Sequence, residues 1–213
     1  MMYRAVIFDL DGTLVQTKPE CWYTIVGQTL QDLGMKTCNE HIDMFWFRTD
    51  RDKIIREIFR AEPRVFWETY KQYDTVELRK QFTEPYPDVD FVRELKRGGY
   101  KIGLVTGARS NIMSFEIGLI GKENFDAVVR AQKSDGVQPK PHPHGLEKCL
   151  TLLGIQKNEA LYVGNADEDI LAAKTAGVFD VFIDRGEHFF LETKPSLTIR
   201  SLYELRRILK ISS

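Results

Sequence analysis

Apolar positions along the chain follow two different rhythms. In the first, short unbroken runs rich in β-branched and aromatic residues end in charge or glycine: Ala5-Val6-Ile7-Phe8, Lys101-Ile102-Gly103-Leu104-Val105, Ala127-Val128-Val129, Ala160-Leu161-Tyr162-Val163 and Val178-Phe179-Asp180-Val181-Phe182-Ile183. Runs of this kind predict strands buried on both faces. Helical spacing returns between several of them, over Phe91 to Lys96, Ile112 to Ile117, Leu146 to Leu153 and Ile170 to Ala176. Each of these helices is predicted to stop at a following glycine: Gly98-Gly99, Gly118, Gly154 and Gly177. Strands alternating with helices require crossover connections, so the fold class is α/β with a doubly wound, mostly parallel sheet. Leu202, Leu205, Ile208 and Leu209 add a final amphipathic helix packed on the sheet.

The second rhythm occupies Leu14 to Pro85, where no buried-strand run occurs. Trp22, Ile25, Val26, Thr29, Leu30 and Leu33 form one helical stripe; Ile54, Ile55, Ile58 and Phe59 form another; Val65, Phe66, Tyr70 and Tyr73 form a third. The economical organisation is an all-helical cap domain over residues 17–83, inserted into an α/β core made of 1–16 and 84–213. Thr17 before Pro19 marks a helix start, and Glu84-Pro85-Tyr86-Pro87 a re-entry linker.

Composition narrows the partners. The 213 residues carry 30 basic and 31 acidic side chains, which gives no basic surface for nucleic acid. Cys21, Cys38 and Cys149 are three widely spaced cysteines without a CxxC pair, so neither a disulfide framework nor a structural zinc site is expected. The first residues lack the pattern of a secretory signal and no stretch is apolar enough for a bilayer, which makes the cytoplasm the expected location. Monomer and homodimer are equally compatible with the sequence.

Chemistry is sought just after the strands, because ligands of open parallel sheets bind outside their carboxyl ends. Four places stand out there: Asp9 with Asp11, Thr106 with Gly107, Lys140 between Pro139 and Pro141, and Gly164-Asn165 with Asp167, Glu168 and Asp169. A carboxylate can act as a nucleophile toward phosphorus while a second one, two residues on, handles the leaving-group proton. Gly12 and Thr13 supply a tight turn whose backbone N–H groups suit phosphate oxygens. Thr106 can donate a hydroxyl, Lys140 can neutralise charge, and the cluster after Val163 offers oxygen ligands to a hard divalent cation. Each has a plainer reading: a turn for Asp9 to Thr13, a helix cap for Thr106, a solvated surface lysine, and an acidic first helical turn favoured by the helix dipole.

The order and location of these four segments resemble the haloacid dehalogenase superfamily, in the branch with a helical cap after the first motif that includes phosphoglycolate phosphatases and β-phosphoglucomutases. That resemblance implies a core of five parallel strands and a Mg²⁺-dependent phosphatase working on a small phosphorylated metabolite. It implies Asp9 as nucleophile, Asp11 as general acid and base, Thr106 as phosphate-binding hydroxyl and Lys140 as charge stabiliser. Phosphate would lie near the backbone of Leu10 and Gly107, and Arg109 could contact a substrate anion. Magnesium would be held by the Asp9 carboxylate, the Asp11 backbone carbonyl and the motif containing Asn165 and Asp169. A β-phosphoglucomutase-like phosphotransferase and a non-catalytic phosphometabolite-binding protein are the alternatives.

The chain departs from the family pattern in four places. Asn165 stands where an aspartate is usual, and a neutral ligand attracts Mg²⁺ less unless Asp167 or Asp169 compensates. Gln16 replaces the commoner Asp or Asn, and Gly107-Ala108-Arg109 is an unusual continuation after Thr106. Phe45-Trp46-Phe47-Arg48-Thr49-Asp50 stands where a glycine-containing specificity loop is typical. His142 and His144 form a His-x-His pair, but no carboxylate or cysteine in that segment completes a zinc site. The cap aromatics are read as its core, and Arg48, Arg51, Lys53, Arg56, Arg60 and Arg64 as solvated helix faces or anion-attracting charges.

Overall fold

The computed structural model describes residues 3–209. They fall into two compact units, one built from the chain up to Gln16 together with the chain from Pro85 onward, the other from Thr17–Glu84.

The first unit is built on β1 (Ala5–Phe8), which every later strand is arranged around. The chain passes through β2 (Val15–Thr17), leaves for the second unit, and returns by β3 (Thr83–Pro85), which pairs with β2 as a two-stranded ribbon. Then follow α6 (Asp90–Arg97), β4 (Lys101–Thr106), α7 (Ser110–Ile120), β5 (Ala127–Arg130), α8 (His144–Leu153), β6 (Ala160–Gly164), α9 (Asp167–Ala176), β7 (Phe179–Ile183) and β8 (Leu197–Ile199); the second unit carries α1 to α5. The sheet order is β5-β4-β1-β6-β7-β8, and all its pairings are parallel. The chain moves outward from β1 through β4 and β5, then crosses back to β6 on the other side of β1. Crevices for ligands open at such reversals.

Alternation along β1 divides the core. Val6 and Phe8 join Phe91, Leu95, Ile102, Leu104, Ile117 and Leu202 on one face of the sheet, while Ala5 and Ile7 join Leu146, Cys149, Leu150, Tyr162 and Ala173 on the other. The α/β, doubly wound, mostly parallel architecture is thus the one expected.

Several details differ from the expectation. Among the described residues the sheet has six strands, because Leu197–Ile199 adds an edge strand beside β7. Helix α7 runs through Gly118, which is exposed, and stops at Gly121, where φ is +101°. The terminal amphipathic segment is a 3₁₀ helix over Leu202–Arg207, not an α-helix, with Leu202 and Leu205 buried. Thr17 does not cap the helix that begins at Pro19; Lys18 holds that position, and the Thr17 hydroxyl lies 3.0 Å from that of Thr83. The re-entry segment begins as strand β3.

The second unit consists of α1 (Pro19–Asp32), α2 (Asn39–Phe47), α3 (Arg51–Glu57), α4 (Pro63–Tyr73) and α5 (Val76–Phe82). Phe45-Trp46-Phe47 therefore ends a helix, with Phe45 and Phe47 buried, and only Arg48 to Asp50 form a loop. Phe45, Phe59, Phe66 and Tyr70 pack ring against ring, with centroids 5.2–6.1 Å apart, as the unit's core. Val65 is 45% exposed and lies outside that stripe. Arg51 donates to the carbonyls of Phe45 and Trp46, and Arg64 pairs with Glu68, so both serve local structure. Among the described residues no helix is long and apolar enough to cross a membrane.

Candidate active site

Strand β1 delivers Asp9 directly past its buried end. The Asp9 N–H donates to the Val163 carbonyl at 2.9 Å, so the residue continues the sheet before the chain turns away. The turn is tight: the N–H groups of Thr13, Leu14 and Val15 all donate to the Leu10 carbonyl at 2.9–3.2 Å. Gly12, at φ +72°, makes this possible. Asp9 is 5% exposed, and burial pushes its carboxyl up to about 7; Lys140 opposes that rise, while Asp169 and Asp11 add to it.

Lys140 crosses from the segment before α8 into this cluster. Its ammonium lies 2.7 Å from Asp9 Oδ1 and 2.6 Å from Asp169 Oδ1, with its side chain only 5% exposed. It is not the solvated surface lysine of the plainer reading. Burial alone would favour the neutral amine, but the carboxylates of Asp169 and Asp9 outweigh it and hold the lysine pKa well above its ordinary value. The ammonium is permanently charged at physiological pH, and it neutralises two carboxylates that would otherwise repel each other.

Asp169 is committed on both oxygens. Oδ1 accepts from Lys140 and, at 2.8 Å, from the Tyr162 hydroxyl; Oδ2 accepts from the Ala166 N–H at 3.0 Å. The last bond caps the first turn of α9, so the helix-start reading holds alongside the electrostatic one. Asp167 Oδ1 accepts from the N–H groups of Glu192 and Thr193 at 3.2 and 2.7 Å, tying down the segment after β7.

Asn165 follows β6 and lies over the Asp9 turn. A Cβ on Gly12 would fall 2.0 Å from Asn165 Nδ2, so only glycine admits the amide here. The Thr13 hydroxyl lies 3.3 Å from Asp9 Oδ2 and 3.5 Å from Asn165 Oδ1, placing both oxygens around one point. Carboxylate and amide oxygens are hard donors of the kind a cation of the magnesium class takes. Asp169 already takes three donors, two on Oδ1 and one on Oδ2. Among the described residues no group of three or more His, Cys, Asp or Glu is gathered into a metal cage.

The remaining predicted residues flank this cluster at the same end of the sheet. Asp11 is half-buried and near enough to Asp9 to raise its pKa. Thr106 is 1% exposed, and its hydroxyl oxygen accepts the Ala108 N–H at 3.0 Å, which leaves its own proton to donate. The Gly107 carbonyl accepts from Gln132 Nε2. The N–H groups of Leu10 and Gly107 have no hydrogen-bond partner among the described residues, and are available to anionic oxygens. Arg109 is the N-cap residue of α7, with its carbonyl accepting from Met113 N–H. His142 and His144 each accept a backbone N–H on Nδ1, from His144 and Gln138 respectively, and so serve the turn leading into α8.

Three residues that matter to this geometry carry no sequence signal. Tyr162 reads as one more apolar strand residue, yet its hydroxyl orients Asp169. Arg185 donates to the Thr13 carbonyl at 2.6 Å and to both oxygens of Asp88. His188 Nε2 lies 2.8 Å from the Asn165 carbonyl, and burial lowers its pKa. Their partners lie 7, 172 and 23 residues away along the chain, where no spacing rule reaches.

Comparison with known proteins gives a consistent picture. The model of the haloacid dehalogenase-like hydrolase family matches residues 6–183. The pyrophosphatase PpaX of Bacillus cereus is 31% identical over 220 residues, spanning 98% of this chain and 97% of its own length. PpaX of Halalkalibacterium halodurans is 29% identical, with 100% of both chains covered. A Lactobacillus plantarum protein provisionally named a phosphoglycolate phosphatase superposes with a TM-score of 0.85 at 20% identity, covering 98% of this chain and 100% of that one. A β-phosphoglucomutase from Clostridium difficile gives 0.74 at 21% identity, covering 96% and 93%. At such identities the structural likeness speaks for the fold alone.

Proposed function

The chain belongs to the haloacid dehalogenase-like hydrolase family, and from that premise we propose that it hydrolyses the phosphate monoester of a small metabolite through a phosphorylated Asp9. The observation that carries this reading is the buried Lys140 ammonium shared between Asp9 and Asp169 at the carboxyl end of the parallel sheet.

In the proposed reaction an Asp9 carboxylate oxygen attacks phosphorus while the bond to the leaving oxygen breaks, and Asp11 gives that oxygen its proton. Asp11 then takes a proton from water as the water oxygen attacks phosphorus, the Asp9–phosphorus bond breaks, and phosphate leaves. Lys140, the Thr106 hydroxyl and the N–H groups of Leu10 and Gly107 offset charge on the phosphoryl oxygens throughout. The Asp9 oxygen facing Thr13, the Asn165 amide oxygen and the Asp11 carbonyl are the groups we assign to magnesium. Bound there, the ion would supply positive charge to offset that of the phosphoryl oxygens. Asp169 we assign to Lys140, because its oxygens are already engaged.

A second reading, inorganic pyrophosphate as substrate, is favoured by the full-length relatives named as pyrophosphatases. Purified protein with Mg²⁺ should release phosphate from p-nitrophenyl phosphate and from at least one small phosphorylated metabolite, phosphoglycolate among those screened. Asp9→Asn should remove all turnover, a loss of at least about 10³-fold for a nucleophile. Turnover of pyrophosphate alone would select the second reading. Transfer of the phosphoryl group to a sugar hydroxyl without free phosphate would instead identify a mutase, and turnover that survives Asp9→Asn would remove the nucleophile from the mechanism.

A further inference from the structure

Resting on the reading of Asn165 as an oxygen donor to magnesium, we propose that His188 is a positioning residue for that donor, holding the Asn165 backbone through its Nε2–H. The segment after β7 comes back over the carboxyl end of the sheet and is tied to the site loops at three points. Arg185 donates to the Thr13 carbonyl, His188 lies 2.8 Å from the Asn165 carbonyl, and the Glu192 and Thr193 N–H groups bind Asp167. Of these, only His188 grips the residue whose side chain offers oxygen to the cation.

The direction of that bond is fixed by the other ring nitrogen. Nδ1 accepts the Phe190 N–H at 3.2 Å, so the proton of the neutral imidazole resides on Nε2 and can only donate to the carbonyl. The ring itself is oriented by Phe190, stacked at a 12° interplanar angle, and by the edge of Phe182. The Asn165 side chain has little else to hold its oxygen in place. Its Oδ1 contact to Thr13 is long, at 3.5 Å, while Gly12 packs closely against Nδ2 on the other side.

A carboxylate draws a divalent cation into place by charge. A neutral amide must be pre-placed, and groups behind a metal ligand perform that task. In this chain the neutral amide at position 165 is accompanied by a histidine that fixes the backbone of the same residue.

Mn²⁺ is the probe, because the spectrum of its free aqua ion disappears on binding and yields a dissociation constant without any turnover. Replacing His188 with Phe keeps the ring and deletes the donor, and should raise the Mn²⁺ Kd about tenfold, the lower end for groups behind a metal ligand. His188→Gln, which restores an N–H at similar reach, should return the Kd to within about threefold of wild type. His188→Asn, polar but too short, should behave like Phe, which separates lost reach from an unfavourable ring in the loop. In an Asn165→Ala background His188→Phe should add nothing, since residues acting through one another are not additive. Unchanged Mn²⁺ binding in His188→Phe while Asn165→Ala weakens it would overturn the proposal and leave the donor reading intact. An equal effect of His188→Phe with and without Asn165 would overturn it too. Unchanged binding in Asn165→Ala would remove the donor reading and the proposal together.

Discussion

Asn165 is a neutral amide set among the carboxylates of this site, and it is closely surrounded. Its residue is 8% exposed, Gly12 has no side chain because the amide occupies that space, and its oxygen shares the Thr13 hydroxyl with Asp9. Asn165→Asp is nearly isosteric, so it should add a charge to a pre-shaped place. We expect the half-saturating Mg²⁺ concentration for phosphate release to fall about tenfold, equivalent to about 1.4 kcal/mol of cation attraction. An unchanged requirement would mean that Asn165 does not touch the ion. At this scale the order of strands in the sequence pointed to Asp9, Asp11, Thr106, Lys140 and Asn165, which the structure brings to one end of the sheet. It could not reveal Tyr162, which is 0% exposed and indistinguishable by pattern from its apolar neighbours, nor Arg185 and His188, whose partners are set by tertiary placement.

At the scale of elements, the segment after β7 is organised around Asp88. Its carboxylate accepts from Arg185 at 2.9 and 3.0 Å, from the Ser201 hydroxyl at 2.9 Å and from the Leu202 N–H at 2.8 Å. Arg185 also lies flat on Tyr86, with its guanidinium carbon 3.8 Å from the ring centroid. Burial pushes the Asp88 carboxyl up, but Arg185, the Leu202 amide and Ser201 together bring it below the ordinary carboxylate range. The folded value therefore lies under the unfolded one, near 3.9. The stability contributed is complete above about pH 4 and is lost as pH falls through the folded value. Asp88→Ala leaves Arg185 buried without its carboxylate and should cost about 3–5 kcal/mol at pH 7. In urea titrations the gap between wild type and variant should be level from neutral pH down to about pH 5 and should narrow below about pH 4; a gap independent of pH would refute the ion pair. The strands were legible because buried parallel strands are continuous apolar runs. Leu197–Ile199 was not, being three residues long with Thr198 exposed. Gly118 misled because a glycine on an exposed helix face costs only about 1 kcal/mol, while the real stop needed the positive φ at Gly121.

Across the whole molecule the two units differ in what holds them. The sheet is stabilised by parallel ladders and two apolar layers; the helical unit relies on large rings. Phe66 is fully buried and has ring centroids of Phe45, Phe59, Trp67 and Tyr70 within 5.2–6.0 Å. Phe66→Ala should destabilise that unit by about 3–5 kcal/mol. The chain's three tryptophans, Trp22, Trp46 and Trp67, all lie within Thr17–Glu84, so fluorescence reads this unit directly. The urea midpoint followed by tryptophan emission should drop accordingly, and an unmoved midpoint would deny the ring cluster its role. The helical character of this stretch was evident from its stripes, whereas α2 was hidden because its aromatics also suit a loop.

The place of β1 in the sheet has a consequence for biosynthesis. Its four residues leave the ribosome before both of their partners, Lys101–Leu104 on one side and Ala160–Val163 on the other. The stretch from Thr17 to Glu84 has all its own helices in hand as soon as it emerges, whereas the strand before Asp9 has neither neighbour. With chain growth at about 5–20 residues per second, the strand carrying Asp9 waits on the order of 8–30 s for its second partner. During that interval Ala5-Val6-Ile7-Phe8, a wholly apolar segment with strand propensity, is an unpaired edge for chaperones to guard.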